Sequence, residues 1–437
     1  MWEILSLARH TFRESLRKKV MLVVVLFVAV VLLGTELAPA GYPEAKPQLA
    51  LTVCLNGMAV FGLLTIVFLA ATSIPDDVQH RTIYSLLTKP LPRWKILVGR
   101  TLGFVFVAAG LVLVMGFFSW AFIRYTTRRY LNRAQQREVL AGRRFLHAQS
   151  VQVLAGGAVQ EVLPTSEGRR WVHGPLSMVA RYTFFNVRER ALWGDAIYGE
   201  CQFLSNSQGV GVLPGVLTVT SPTSGESKDV SVLLFDGKIT KFTFPPDLVG
   251  THDTVLVEVK RTAEQDALGV RKEDLRLRLR PVSFEVNLTK ALAPLLLGLT
   301  VAAALAVMGS TVLSPMVSVC FAFFVCFLGN IVAGMQSIAA TLNQPGTALL
   351  DIYPNFTQLA PESTPVWVVM VNQAIRYLLT GLSVVVPDFR NFYAYPFLKQ
   401  GHNVPTEFLG QALLYFALYG GGGLLLGCLL FRRREMT

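Results

Sequence analysis

The chain has 437 residues, 52% hydrophobic and 16% charged, with a formal charge of +12. Soluble domains run closer to a quarter charged, so this composition excludes an ordinary soluble protein. Cys54, Cys320, Cys326 and Cys428 lie in apolar sequence and only Cys201 in polar sequence, which excludes an intramolecular disulfide framework. The histidines, among them His147, His173 and His252, lack metal-ligand spacing. The cationic excess is first explained by a membrane protein's need for basic loops, so no nucleic-acid partner is implied.

Arg9, Arg13, Arg17, Lys18 and Lys19 precede the first apolar stretch and favour a cytoplasmic N-terminus. Trp2, Ile4, Leu5, Ala8, Phe12 and Leu16 recur at helical spacing opposite the arginines. Residues 1–19 are therefore expected to form an amphipathic helix along the inner membrane surface. The rival is a cleaved signal peptide ending near Ala38-Pro39-Ala40, but its polar leader would be unusually long.

Charge-free stretches then mark the spans. Val20 to Thr35, Pro47 to Pro75, Thr101 to Ile123 and Phe408 to Phe431 hold no Asp, Glu, Lys or Arg, and neither do the sixty residues Ala291 to Leu350. A crossing helix needs about 20 apolar residues. Six are expected: Val20 to Ala38, Leu49 to Thr72, Gly99 to Ile123, two from the long stretch broken at Gly309-Ser310-Thr311 and Ser314-Pro315, and a last one ending at Phe431 before Arg432, Arg433 and Arg434. The expected layout is 20–123 for helices one to three with a cytoplasmic loop 73–98, an insert 124–290, 291–337 for helices four and five, an outer loop 338–407, and 408–437 for helix six and its basic tail. An even number of spans returns the tail to the cytoplasm.

The insert opens on Arg124, Arg128, Arg129, Arg133, Arg137, Arg143 and Arg144, expected to be helical, and continues β-rich. Leu275-Arg276-Leu277-Arg278-Leu279-Arg280 alternates strictly, as does Thr254 to Lys260, and both read as strands. Val230 to Phe235 and Lys238 to Phe244 around Asp236-Gly237 read as a hairpin, because Asp-Gly suits a tight turn. With Leu217 to Thr220 this makes a small antiparallel sandwich. The leucine–arginine ladder is either a wet strand face or a surface for an anionic ligand. The fold class is thus an α-helical polytopic membrane protein with six transmembrane helices and a β-rich, sandwich-like extracytoplasmic insert between helices 3 and 4. In the outer loop, Val366 to Val386 is apolar but holds Asn372 and Arg376 and ends at Pro387-Asp388, which suits an interfacial or re-entrant helix.

No phosphate-binding G-x-x-x-x-G-K-[ST], no H-E-x-x-H and no G-x-S-x-G occurs, so the chain is read as a non-enzyme without cofactor or metal. Asp76 and Asp77 are the one close carboxylate pair beside a span, and Ser73-x-x-Asp76 with Pro75 reads as a helix N-terminus. Only Glu36 is ionisable near a span, and the polar groups inside are Asn56, Asn330 and Gln336, so a proton relay is not expected. Gly423-x-x-x-Gly427 suits close helix packing, within the chain or between copies.

Arg81-Thr82-Ile83, Thr88-Lys89-Pro90 and Gly99-Arg100 in the loop after helix two form a pattern that resembles the permease subunits of type-2 ATP-binding-cassette (ABC) exporters. Pro387-Asp388-Phe389 followed by Phe392 resembles that family's proline turn before the last span, and Phe431-Arg432-Arg433-Arg434-Glu435 its C-terminal ending. The resemblance implies a multi-pass protein of the bacterial cytoplasmic (inner) membrane with both termini cytoplasmic. It implies a separate ABC ATPase subunit carrying ATP and Mg, and a second copy or related permease in the same lipid bilayer. Asp76, Asp77, Arg81, Thr82 and Lys89 would couple the chain to that ATPase. The long insert departs from the family's short outer loops. A membrane-anchored envelope sensor or binding protein acting through the insert, and a membrane-anchored enzyme, are the alternatives.

Overall fold

The computed structural model describes residues 2–18, 20–38, 45–79, 92–140, 142–163, 168–187, 196–206, 212–249, 253–341 and 366–433. The chain divides into two compact units, one of residues 1–140 and 284–437, the other of residues 141–283.

In the first unit, six helices among the described residues are long and apolar enough to cross a membrane. α1 (Trp2–Arg17) precedes them, and the first three are α2 (Val20–Leu37), α3 (Ala45–Gln79) and α4 (Arg93–Tyr130). A short α5 (Arg133–Leu140) follows. The fourth and fifth are α6 (Phe284–Ser310) and α7 (Pro315–Thr341). The sixth is built from α10 (Thr406–Tyr415), a π turn Phe416–Gly420 and α11 (Gly421–Arg433).

Each span is apolar on all sides, as a helix must be when lipid rather than water surrounds it. Hydroxyls inside them satisfy themselves on the carbonyl four residues back, as Thr35 does on Val31, Thr65 on Phe61 and Ser119 on Met115. α6 lies at the centre. Its run Val301 to Ala304 is buried throughout, because small side chains let neighbours approach closely. Leu299 of α6 fits over Gly62 of α3, and Leu292 over Gly116 of α4.

α4 starts at Arg93 and continues to Tyr130, beyond the expected Gly99–Ile123 at both ends. Long basic side chains can lie along a helix and carry their charge out of lipid, so charge marks the end of the apolar face and not the end of the helix. The expected basic helix up to Arg144 is corrected likewise. Arg124, Arg128 and Arg129 belong to α4, Arg133 and Arg137 to α5, and Arg143 and Arg144 to a strand.

Between the fifth and sixth spans, α8 (Val366–Val385) packs on α7. The chain then turns in among the spans. Phe389 and Phe392 are buried, the first against Gly329 of α7 and the second against Gly298 of α6. Both glycines sit halfway along 27-residue helices. The chain returns through α9 (Tyr395–Lys399) to the start of α6, where the Asn287 amide donates to His402 O and accepts from Val404 N, both at 2.9 Å. The short 3-10 turn Phe389–Phe392 is thus covered by α6 and α7.

The second unit is antiparallel. A six-stranded sheet runs β3-β2-β5-β11-β8-β9, a four-stranded one β1-β13-β6-β10, and a three-stranded one β4-β12-β7. Its main strands are β1 (Gly142–His147), β2 (Ser150–Ala155), β5 (Met178–Phe184), β6 (Ile197–Cys201), β8 (Val212–Thr220), β9 (Ser227–Phe235), β10 (Thr240–Phe244), β11 (Val255–Arg261) and β13 (Leu275–Val282). The shorter ones are β3 (Ala158–Gln160), β4 (Arg170–Val172), β7 (Leu204–Asn206) and β12 (Ala267–Val270). Alternate residues of the two larger sheets, such as Val257 and Leu217 from one and Leu277 and Phe242 from the other, share one core. That is sandwich packing.

The expected hairpin is half right. Gly237 takes a positive φ of 62°, as the Asp-Gly turn requires, but β9 pairs with β8 and β10 with β6. The turn is anchored outside itself, with Gly237 N donating to Phe203 O and Asp236 accepting from Ser205 N, so the chain crosses from one sheet to the other.

The ladder is not a wet face. Arg276 and Arg278 both reach the carboxylate of Glu200, at 3.0 and 3.8 Å, and Glu200 is only 2% exposed. Arg276 also stacks on Phe145. These guanidiniums are spent on a buried partner, which argues against the anionic-ligand surface as well. Cys201 is buried too, and burial followed by the neighbouring Glu200 charge pushes its thiol up to about 12.

Candidate functional site

The resemblance directs attention to the segment joining α3 to α4. Arg81, Thr82 and Lys89 lie outside the described residues, so the site is read from the two helix ends that hold the segment. Asp76 and Asp77 fall within the last turn of α3, whose backbone runs to Gln79. The helix start expected at Ser73 does not occur. α3 continues through Pro75, and the Ser73 hydroxyl donates to Ala70 O instead of capping a new helix. Pro75 has no N–H to give the Ala71 carbonyl one turn back, so α3 forgoes one backbone hydrogen bond at that point.

The first three turns of α4 gather the surrounding elements. Pro92, extended at φ −65° and ψ 138°, stands at the N-cap. Arg93 Nη1 donates to Phe431 O at 3.1 Å and to Arg432 O at 3.4 Å, placing a cation on the last carbonyls of α11. A cation there complements the helix dipole, worth about 0.3–1 kcal/mol. Lys95 Nζ meets the Glu3 carboxylate of α1 at 2.8 Å, and that hydrogen bond holds the carboxyl below its usual range. Arg100 is buried and its Nη1 reaches Ser73 O of α3 at 3.5 Å.

Two glycines set the approach of α1. A Cβ at Gly103 would stand 2.5 Å from Thr11 Cβ and 2.9 Å from Ala8 O, and one at Gly99 2.9 Å from Leu7 Cδ2. α1 is therefore seated on α4 by one face, with Ala8, Thr11 and Ser15 buried, while Trp2, Leu5 and Leu16 remain exposed. That refines the expected surface helix: only part of it is left for a lipid surface. Gly427 of α11 belongs to the same cluster, since its Cβ would stand 2.9 Å from Leu97 Cδ2 and 3.4 Å from Met308 Cα. A Cβ at Gly423 would meet Leu305 at 3.3 Å. Both glycines face helices of their own chain.

These contacts tie α1, α3 and α11 to the first turns of α4. Gly99 and Arg100 were picked out in the sequence by resemblance alone, and packing supplies their reason. Arg93 and Lys95 read in the sequence only as basic loop charges, and Glu3 and Gly103 carried no reading at all. The signal for Gly103 was its spacing of four from Gly99, one face of a helix.

The family model described as ABC-2 family transporter protein matches residues 5–129, the stretch that runs from α1 to the end of α4. No curated protein matches the chain.

Proposed function

We propose, for a chain whose α1 to α4 region is that of an ABC-2 type permease, that it is the membrane subunit of an ABC exporter driven by ATP hydrolysis on a separate nucleotide-binding subunit. The observation that carries the reading is the family match over residues 5–129, within which the Arg81-Thr82-Ile83, Thr88-Lys89-Pro90 and Gly99-Arg100 pattern falls. The ATPase, holding ATP and Mg, docks on the segment that begins at Asp76 and Asp77 and includes Arg81, Thr82 and Lys89. Its motion enters through the base of α4, where α1, α3 and α11 are tied to that helix.

Three apolar helices precede the β-rich unit and three follow it in the chain. With Arg9, Arg13 and Arg17 before the first, the positive-inside preference puts both termini in the cytoplasm and the β-rich unit outside it. The membrane is the bacterial inner membrane. A second copy or related permease completes the transporter through surfaces other than Gly423 and Gly427, which are occupied within the chain. Co-expression of the permease with its nucleotide-binding subunit, with Arg81 and Thr82 both changed to alanine, tests the docking. The pair is expected to insert normally while hydrolysis loses its link to transport.

A further inference from the structure

The last span is not one continuous α-helix. The π turn Phe416–Gly420 separates α10 from α11, and among the described residues it is the only π turn in the chain. Regular α spacing holds at both of its borders, where Phe416 N donates to Ala412 O and Gly421 N to Ala417 O. Such turns are rare and gather at functional sites. Four consecutive glycines, Gly420 to Gly423, begin at its last residue.

α6 runs beside both halves of the span, but their other partners differ. In α10, Phe408 packs edge-on against Phe397 at 5.4 Å between ring centroids, and Tyr415 against Phe392 at 6.5 Å, so this half rests on the segment that leads into the span. In α11, Gly427 sits against Leu97 of α4, and Arg93 of α4 holds the carbonyls of Phe431 and Arg432, so that half belongs to the base of α4. Between the two sets of contacts, Gly421 and Gly422 have nothing within 4 Å of where a Cβ would stand, and no neighbour demands glycine there. Each weights the equilibrium against helix by about fourfold relative to alanine. Within the π turn, Tyr419 Oη donates at 2.9 Å to Val384 O, a carbonyl of the last turn of α8. In lipid no water is at hand to replace that bond.

We infer that Phe416–Gly422 is a joint at which the two halves of the last span move against each other, and that Tyr419 braces it in the π form. A π turn holds a surplus residue, and taking it up as α-helix winds one half against the other by about 100° and 1.5 Å. Gly421 and Gly422 let the backbone leave helical dihedrals without a side chain to clash. That the joint serves transport rests on the permease reading. Its test needs no ATPase, so either can fail while the other stands.

The test spin-labels Gln411→Cys and Leu429→Cys, one exposed position in each half, in a full-length chain with Cys320 and Cys428 changed to alanine; the remaining native cysteines are buried. The two positions stand about 27 Å apart on a straight helix. Phe106→Cys with Ala121→Cys, both exposed on the uninterrupted α4, is the control pair. Distances are measured by pulsed electron paramagnetic resonance in lipid nanodiscs. The pair across the joint is expected to give a wider distribution than the control. Gly421→Ala with Gly422→Ala should lower the minor arrangement on the order of twentyfold and narrow that distribution. Gly410→Ala, equally unhindered but outside the joint, should leave it unchanged. Tyr419→Phe should broaden it. The comparison of the two pairs without these changes decides the joint even where a variant fails to fold. A distribution across the joint no wider than the control overturns it, and so does narrowing by Gly410→Ala equal to that of the double variant. A dimer lost in the double variant, read by native mass, assigns the two glycines to a contact between copies and overturns the joint as well. A width unchanged by Tyr419→Phe overturns the brace.

Discussion

If Gly103 is the seat of α1, then adding a single carbon there should separate two helices, and the same change nearby should not. Alanine is favoured over glycine inside a helix by about 0.8–1.0 kcal/mol. Gly110, on the same helix, has nothing within 4 Å of where a Cβ would stand, so Gly110→Ala should collect that gain. At Gly103 the new carbon would sit 2.5 Å from Thr11 Cβ and 2.9 Å from Ala8 O, and the second is backbone that no rotamer change removes. Overpacking of this kind costs about 1–3 kcal/mol, so Gly103→Ala should be destabilising even after the propensity gain. Gly99→Ala falls between, because its tightest neighbour at 2.9 Å is the end of the Leu7 side chain. Thermal unfolding of the three full-length variants in one detergent should give the order Gly110→Ala, Gly99→Ala, Gly103→Ala from most to least stable. Crosslinking of a cysteine pair at Glu3 and Lys95 should be lost in the last alone. Equal melting and equal crosslinking at positions 103 and 110 would refute the seating of α1.

Other expectations concern the β-rich unit. Ser224→Cys, in the exposed turn before Gly225, should react with an impermeant thiol reagent from outside the cytoplasm, whereas Cys201 should not react in the folded protein because its thiol is buried and pushed up to about 12; labelling of Ser224→Cys only after the membrane is broken would reverse the topology. Glu200→Ala should destabilise this unit by about 3 kcal/mol, the low end for a broken buried pair, since Arg276 and Arg278 retain some solvent, and adding Arg276→Leu should recover part of the loss. A melting temperature unchanged by Glu200→Ala would show the ladder to be solvated after all. His147 titrates below its ordinary 6.5, chiefly because burial and then the Arg276 charge disfavour its cation. A depressed histidine contributes stability above its unfolded value that is lost as pH falls through the folded one, so the unit should weaken on acidification from pH 7 toward 5. His147→Gln should flatten that slope, and a slope unchanged by it would assign the titration elsewhere.

The spans were readable because exclusion of charge from lipid is a property of contiguous sequence, and the uncharged runs locate α2, α3, α4, α6, α7 and the last helix. The ends were not, because Arg93 and Lys95 enter α4 to meet partners on α11 and α1 that are distant in the chain. The strands around Leu277, Val257 and Leu217 followed from alternation, but alternation is blind to what covers a face, and Glu200 lies far in sequence from the ladder it neutralises. Asp388 stood out only through the Pro387-Asp388-Phe389 turn, and Arg390 not at all. What brings them among the spans is the absence of a side chain at Gly298 and Gly329, two residues that carry no charge signal of their own.

The central claim, a permease moved by an ATPase docked below α3 and α4, is tested most directly by purifying the tagged full-length chain from its native membrane and measuring what hydrolyses ATP with it. A separate subunit carrying a phosphate-binding loop is predicted to co-purify, with hydrolysis that responds to transport in the wild type and no longer does so after Arg81 and Thr82 are both changed to alanine. A chain that purifies without any ATP-binding subunit, or a double variant whose transport-linked hydrolysis is unchanged, would contradict the account.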